Sequence, residues 1–181
     1  MNTVYILLAD GFEEIEALTV VDILRRGDVQ IKTVSTSNDL MVMGAHNIPV
    51  KADILFNKEE ILNGEMLVLP GGGRGTENLK NNSFVIDIIK EYINTDKYIA
   101  AICAAPSILG VNGLLKGKTA VCYPGFEVQL ENATIGSSPV EIDGKIITSK
   151  GPGTAMEFAL VLLGILSGIA TSETVKSGLL Y

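Results

Sequence analysis

Cys103 stands where an apolar run, Tyr98-Ile99-Ala100-Ala101-Ile102, gives way to Ala104-Ala105-Pro106-Ser107, the pattern of a buried strand turning sharply into a helix. A side chain held at such a turn projects from the end of a sheet. The unpaired amides of the helix behind it favour a thiolate over a thiol. Ala101, Ala104 and Ala105 are small enough for a tight turn, and Pro106, early in the helix, sacrifices no needed hydrogen bond. This is the setting of a nucleophilic cysteine; a buried structural thiol is the competing role. Cys122 ends a strand with no helix behind it and reads as structural.

A partner for the sulfur is sought among acids and bases. Glu13, Glu14 and Glu16 open a helix after the first strand. Glu16 has Phe12, Thr19, Val20 and Ile23 as same-face neighbours, which suits a desolvated carboxyl with a raised pKa. A protonated Glu16 could donate a hydrogen bond to sulfur or pass a proton to substrate. All three acids could instead complement the positive helix end, which suits Glu13 and Glu14 better. His46 is the single histidine. It lies in an edge ribbon, so a surface or rim position is expected rather than a Cys-His dyad. One His and two separated Cys make a poor zinc site, and no metal is expected.

Positioning these residues requires strands that end at one rim. Val4 to Ala9, Val29 to Ser35, Met66 to Leu69, Tyr98 to Ile102, Thr119 to Tyr123 and Lys145 to Ser149 read as strands. Helices are expected from about Glu13 to Arg26, over Phe84 to Ile93, from near Ala105 to Gly110–Gly113, and in one long run after Gly151-Pro152-Gly153. Met41 to Val50, interrupted by Gly44 and Pro49, reads as a hairpin or edge ribbon. Apolar strands alternating with helices predict a doubly wound α/β sandwich, mostly parallel, with helices on both faces and right-handed crossovers. Ligands of such sheets bind beyond the carboxyl ends of the strands. That rule gathers Asp10 to Glu16, Gly71 to Gly75, Cys103 to Pro106 and Lys150 to Gly153 on one rim. Pro70-Gly71-Gly72-Gly73-Arg74-Gly75 could cradle an anion or form a plain tight turn. Pro152 and its neighbours are expected in the pocket wall, with Lys150 beside them.

Composition narrows the classes. At 181 residues the chain fits one domain, 1–181. A net charge of -7 without basic clusters argues against nucleic acid. The apolar run Ala155 to Ala170 contains Glu157 and is short for a bilayer, so a core helix is expected and no membrane span. Two isolated cysteines and no signal-peptide pattern suit a reducing cytoplasm. Gly117-Lys118-Thr119 lacks the first glycine of a phosphate loop and leads into a strand, which removes nucleoside triphosphates.

Ala9-Asp-Gly-Phe-Glu-Glu-Ile-Glu-Ala17, Val20-Val-Asp-Ile-Leu-Arg-Arg26, Leu69-Pro-Gly-Gly72, Ala100-Ala-Ile-Cys-Ala-Ala-Pro106 and Thr148-Ser-Lys-Gly-Pro-Gly-Thr154 occur in order along the chain. Together they resemble the ThiJ/PfpI superfamily, in its branch around the parkinsonism-associated protein deglycase and its bacterial relatives. The resemblance implies a flavodoxin-like fold, usually dimeric, with Cys103 as nucleophile, Glu16 as its carboxyl partner, and the amides of Gly72 and Ala104 as an oxyanion pocket. It implies glutathione-independent glyoxalase or deglycase activity on a small aldehyde substrate without a cofactor, or oxidation of the cysteine in stress sensing. Tyr123 stands where a pocket histidine occurs in the best-known member, and a phenol is a weaker base at neutral pH. Protease-like members carry His directly after the cysteine, where this chain has Ala104. Amidotransferase relatives need a late His, which is missing. Peptidase and amidotransferase activities are not expected.

Overall fold

The computed structural model describes residues 3–181. The chain runs β1 (Val4–Leu8), α1 (Glu14–Arg26), β2 (Ile31–Ser35), β3 (Met41–Met43), β4 (Pro49–Lys51), β5 (Ile54–Leu55), α2 (Lys58–Leu62) and β6 (Met66–Leu69). It continues with α3 (Gly73–Lys80), α4 (Ser83–Asn94), β7 (Tyr98–Ile102), α5 (Pro106–Val111), β8 (Thr119–Ala120) and β9 (Thr134–Ile135). The last elements are β10 (Val140–Asp143), β11 (Ile146–Ser149), α6 (Ala155–Ser167) and α7 (Ile169–Gly178).

Seven strands form one sheet in the order β10-β11-β7-β6-β1-β2-β5, parallel except for β10, which pairs antiparallel with β11. Alternate side chains feed two cores. Val4, Ile6 and Leu8 of β1 meet α1 and α6 on one face, whereas Tyr5 and Leu7 join Ile88, Ile89 and Leu109 on the other. Full burial of each such aliphatic side chain contributes about 1.5–3 kcal/mol, which makes the sheet the rigid reference for everything at its edge. The winding direction reverses between β2 and β6, the two strands that flank β1. A crevice is expected at that reversal, outside the carboxyl ends of the strands.

Local signals account for the helix ends. Glu13 caps α1, its carboxylate accepting from the Glu16 N–H at 2.8 Å, and Asn82 caps α4 in the same manner. Arg25 and Arg26 occupy the last turn of α1, where cations suit the helix dipole.

Three expectations need correction. The expected strand Thr119–Tyr123 shrinks to β8, which pairs with β9 in a separate ribbon; the amide of Val121 goes instead to the Thr148 hydroxyl at 3.0 Å. The glycine-rich segment after β6 opens a helix, α3, rather than ending in a turn. The expected single final helix is broken at Gly168, whose φ of +88° favours glycine, and α7 folds back along α6. The ribbon expected from Met41 to Val50 is present as the β3–β4 hairpin.

Candidate active site

Gly71, which follows β6, joins two segments. Its carbonyl accepts from the Glu13 N–H at 3.0 Å, and its N–H donates to Glu16 Oε2 at 2.8 Å. The start of α1 is thereby tied to the end of β6. The lack of a side chain is essential here, because a Cβ at Gly71 would lie 2.5 Å from Cys103 Cβ, 2.6 Å from Glu16 Oε2 and 3.1 Å from Cys103 Sγ. Carboxyl and thiol therefore converge on the same small space.

Cys103 adopts φ +66°, a left-handed conformation that costs a non-glycine residue about 1–2 kcal/mol. Its N–H donates to the Ser149 carbonyl at 3.0 Å, and its own carbonyl accepts from the Tyr123 N–H at 2.8 Å. These bonds from β11 and the segment after β8 hold the elbow in place. The side chain is 9% exposed, so the sulfur stands at the mouth of the core.

Burial of Glu16, which has no solvent exposure, raises its carboxyl pKa to about 7 against the opposing hydrogen bonds from Cys103 and Gly71. Its Oε1 has no hydrogen-bond partner. Burial also pushes the Cys103 thiol up to about 12, helped by the Glu16 charge and hydrogen bond, while the amides of Gly72 and Ala104 pull it down. The expectation that a helix start alone would lower the thiol is therefore corrected: α5 is one short helix of six residues, and desolvation outweighs its amides. Burial and mutual repulsion thus disfavour a second negative charge in this small space. The Gly71 amide favours the remaining charge on the carboxylate, and the Gly72 and Ala104 amides favour it on sulfur.

The remaining residues of the expected site divide. Gly72 is buried with φ +89° and caps α3, and Ala104 is buried directly after the cysteine. Tyr123 is 46% exposed, and its ring stands where a Cβ on Gly151 would lie 3.0 Å from Cδ2. That places the ring against the turn carrying Pro152, which is half-buried in a 3-10 turn before α6. Lys150 is turned away: its ammonium is held by the Ser137 carbonyl, and it lines a cleft beside Cys122. Cys122 is buried, with no carboxyl partner in hydrogen-bond contact, and burial raises its thiol to about 11.

Sequence patterns missed one cluster. Glu13 and Glu14 are buried rather than solvated at the helix end, and the hairpin brings His46 onto them. His46 Nδ1 lies 2.8 Å from Glu14 Oε2, and its N–H donates to Glu14 Oε1 at 2.7 Å. Burial alone would raise the Glu14 pKa, but the bonds from His46 outweigh it and carry it down, and Glu14 in turn raises His46. Gly44, one residue before Ala45, was the available signal, since a Cβ there would lie 2.2 Å from the Glu14 carboxylate.

The model of the DJ-1/PfpI family matches residues 2–164. The chain is 42% identical over 167 residues to Protein DJ-1 homolog B of Arabidopsis thaliana, covering 91% of this chain and 38% of that protein. It spans 46% of Protein DJ-1 homolog A from the same plant, so it is shorter than half of either relative. A deglycase of Pyrococcus abyssi is 31% identical over 152 residues, which cover 83% of this chain and 90% of that one. A DJ-1 superfamily protein of Salmonella typhimurium, solved as a cysteine-to-alanine mutant, superposes with a TM-score of 0.94 at 34% identity, covering 100% and 99% of the two chains. With the parallel sheet, the elbow and the family match in agreement, this chain belongs to the DJ-1/PfpI family.

Proposed function

We propose that the chain is a cysteine-dependent enzyme acting on reactive 2-oxoaldehydes, of the glutathione-independent glyoxalase or deglycase type. The observation that carries this reading is the convergence of Glu16 and Cys103 around Gly71, with burial raising the Glu16 carboxyl to about 7. When the proton resides on Glu16, the sulfur is a thiolate able to attack the aldehyde carbon of methylglyoxal. The carbonyl oxygen takes up a proton and a hemithioacetal forms. Glu16 as carboxylate then removes the proton from the former aldehyde carbon and returns it to the neighbouring carbon, yielding a lactoyl thioester. Water cleaves the carbon–sulfur bond, releasing lactate and regenerating the thiol. The amides of Gly72 and Ala104 are proposed to stabilise the developing oxyanion, with Gly71, Tyr123 and Pro152 shaping the pocket. The similarity to a protein named deglycase supports the same chemistry on methylglyoxal adducts.

Purified protein is expected to form lactate from methylglyoxal without glutathione. Absence of lactate, or full turnover by Cys103→Ala, would overturn the proposal.

A second reading is favoured by the sulfur's position at the mouth of the core beside two amides, a setting that would also hold oxygens added to it. A Toxoplasma gondii DJ-1 with a TM-score of 0.93 and 34% identity was solved in an oxidised form. In this oxidative-stress sensor, Cys103 is oxidised by peroxide, each added oxygen releasing one water, and turnover is incidental. Intact mass after peroxide decides: no gain of oxygen on Cys103 removes the sensor.

Ile15 and Leu18 on α1 are exposed, as are Met41, Met43 and Ile48 of the hairpin that packs on the start of α1. This apolar face is proposed to close a homodimer, tested by sedimentation of Leu18→Glu. No described helix is long and apolar enough to cross a membrane. A reducing cytoplasm fits the two free thiols.

A further inference from the structure

The geometry points to a divalent transition-metal site formed by Glu13, Glu14 and His46, where the start of α1 meets the turn of the β3–β4 hairpin. Glu13 Oε1, Glu14 Oε2 and His46 Nδ1 all lie within 4.8 Å of one another. Nδ1 is 2.8 Å from Glu14 Oε2 and 3.9 Å from Glu13 Oε1. Ligand atoms held about 2.0–2.2 Å from one cation at tetrahedral or octahedral angles are about 2.8–3.6 Å apart. The two separations bracket that range, so small side-chain movements complete the cradle.

Each carboxylate already has its second oxygen anchored. Glu13 Oε2 accepts from the Glu16 N–H at 2.8 Å, and Glu14 Oε1 accepts from the His46 N–H at 2.7 Å. Such outer bonds orient metal ligands and limit the entropy lost on binding. Glu13 Oε1 makes no hydrogen bond, although its side chain is only 9% exposed, and it faces the imidazole. Two carboxylates placed this close repel, and a divalent cation would offset that repulsion more fully than the imidazole alone. His46 supplies the entry path, its side chain being 68% exposed.

Two carboxylate oxygens and one imidazole nitrogen suit a first-row divalent ion such as Zn2+, with water completing the shell. Coordination uses the Nδ1 lone pair, so a proton on that nitrogen moves to Nε2 or to solvent. The sequence expectation against zinc weighed only Cys and His as ligands; the fold adds two carboxylates from a distant segment. The ligand set excludes Cys103 and Glu16, although Glu13 is bonded to the Glu16 amide, so the readout is metal rather than turnover.

Zn2+ titrated calorimetrically into the metal-stripped full-length chain is expected to bind one equivalent. His46→Gln and Glu13→Gln are each expected to weaken binding at least tenfold, whereas Cys103→Ala binds Zn2+ as the unmodified protein does. Zinc should also raise Tm in the unmodified chain and leave that of His46→Gln unmoved. The exposed His46 ring can be exchanged without opening the core, so this variant decides even if Glu13→Gln does not fold. No uptake by the unmodified chain, equal affinity in His46→Gln, or loss of binding on removal of the Cys103 thiol would overturn the assignment.

Discussion

Cys103 and Cys122 have nearly the same exposure, 9% and 5%, yet occupy different chemical situations. Burial raises both thiols, to about 12 and about 11. Low accessibility and a shifted pKa therefore do not distinguish them. What separates them is company and backbone: Cys103 lies against a wholly buried carboxyl and sits at φ +66°, while Cys122 has neither. Reactivity at a buried thiol comes from a partner that can take its proton, rather than from the sulfur's own acidity.

Removing each sulfur is the strongest way to break this comparison. Cys103→Ala is expected to lower lactate formation from methylglyoxal by at least about a thousandfold, as loss of a nucleophile does, with Cys122→Ala close to the unmodified rate. Comparable losses in both would erase the distinction. Glu16→Gln should reduce turnover by about a hundredfold. In the same variant, the rise in Cys103 alkylation with pH should lose the step near 7 that the paired carboxyl supplies. If alkylation of the unmodified chain increases only at strongly alkaline pH, the charge resides on the carboxylate throughout.

The carboxyl also leaves a mark on stability. Folded Glu16 takes up its proton near 7 against an ordinary value of 4.5, so the native state binds more protons between these limits. Stability is fully favoured by this group below 4.5 and declines as pH rises through 7, by about 3 kcal/mol in all. Denaturant titration at several pH values should show the decline in the unmodified chain and in Cys122→Ala, and a flatter profile in Glu16→Gln.

Smaller changes sharpen the contrast at the backbone. Gly71→Ala forces a methyl group against Cys103 and Glu16, and is expected to destabilise by about 1–3 kcal/mol while separating the pair. Denaturation midpoints and turnover together check it. Cys103→Gly should be about 1 kcal/mol more stable than Cys103→Ala, because glycine relieves the left-handed strain. At Cys122, outside the left-handed region, the order should reverse by about 0.5–1 kcal/mol.

Much of this arrangement was legible along the chain. Apolar runs separated by helical periodicity announced β1, β6, β7 and β11, because strands buried on both faces tolerate little else. The rule for ligand position in doubly wound sheets brings Glu16, Gly71 and Cys103 to one edge from the sequence alone. The helix α3 was hidden because its opening Gly73-Arg74-Gly75 reads as a turn, and β8 was overextended because Val121 and Cys122 are apolar without pairing in the main sheet.

Residue order and type alone determined the sheet, its winding and the gathering of Glu16, Gly71 and Cys103 at one rim, since hydrophobic periodicity and chirality leave few ways to cover a parallel sheet. Only the tertiary structure decided the depth at which Glu16 and Cys103 lie, and with it their proton balance, because desolvation depends on everything packed around a group. It alone decided that the hairpin folds His46 onto Glu13 and Glu14, a meeting across 32 positions that no local pattern encodes.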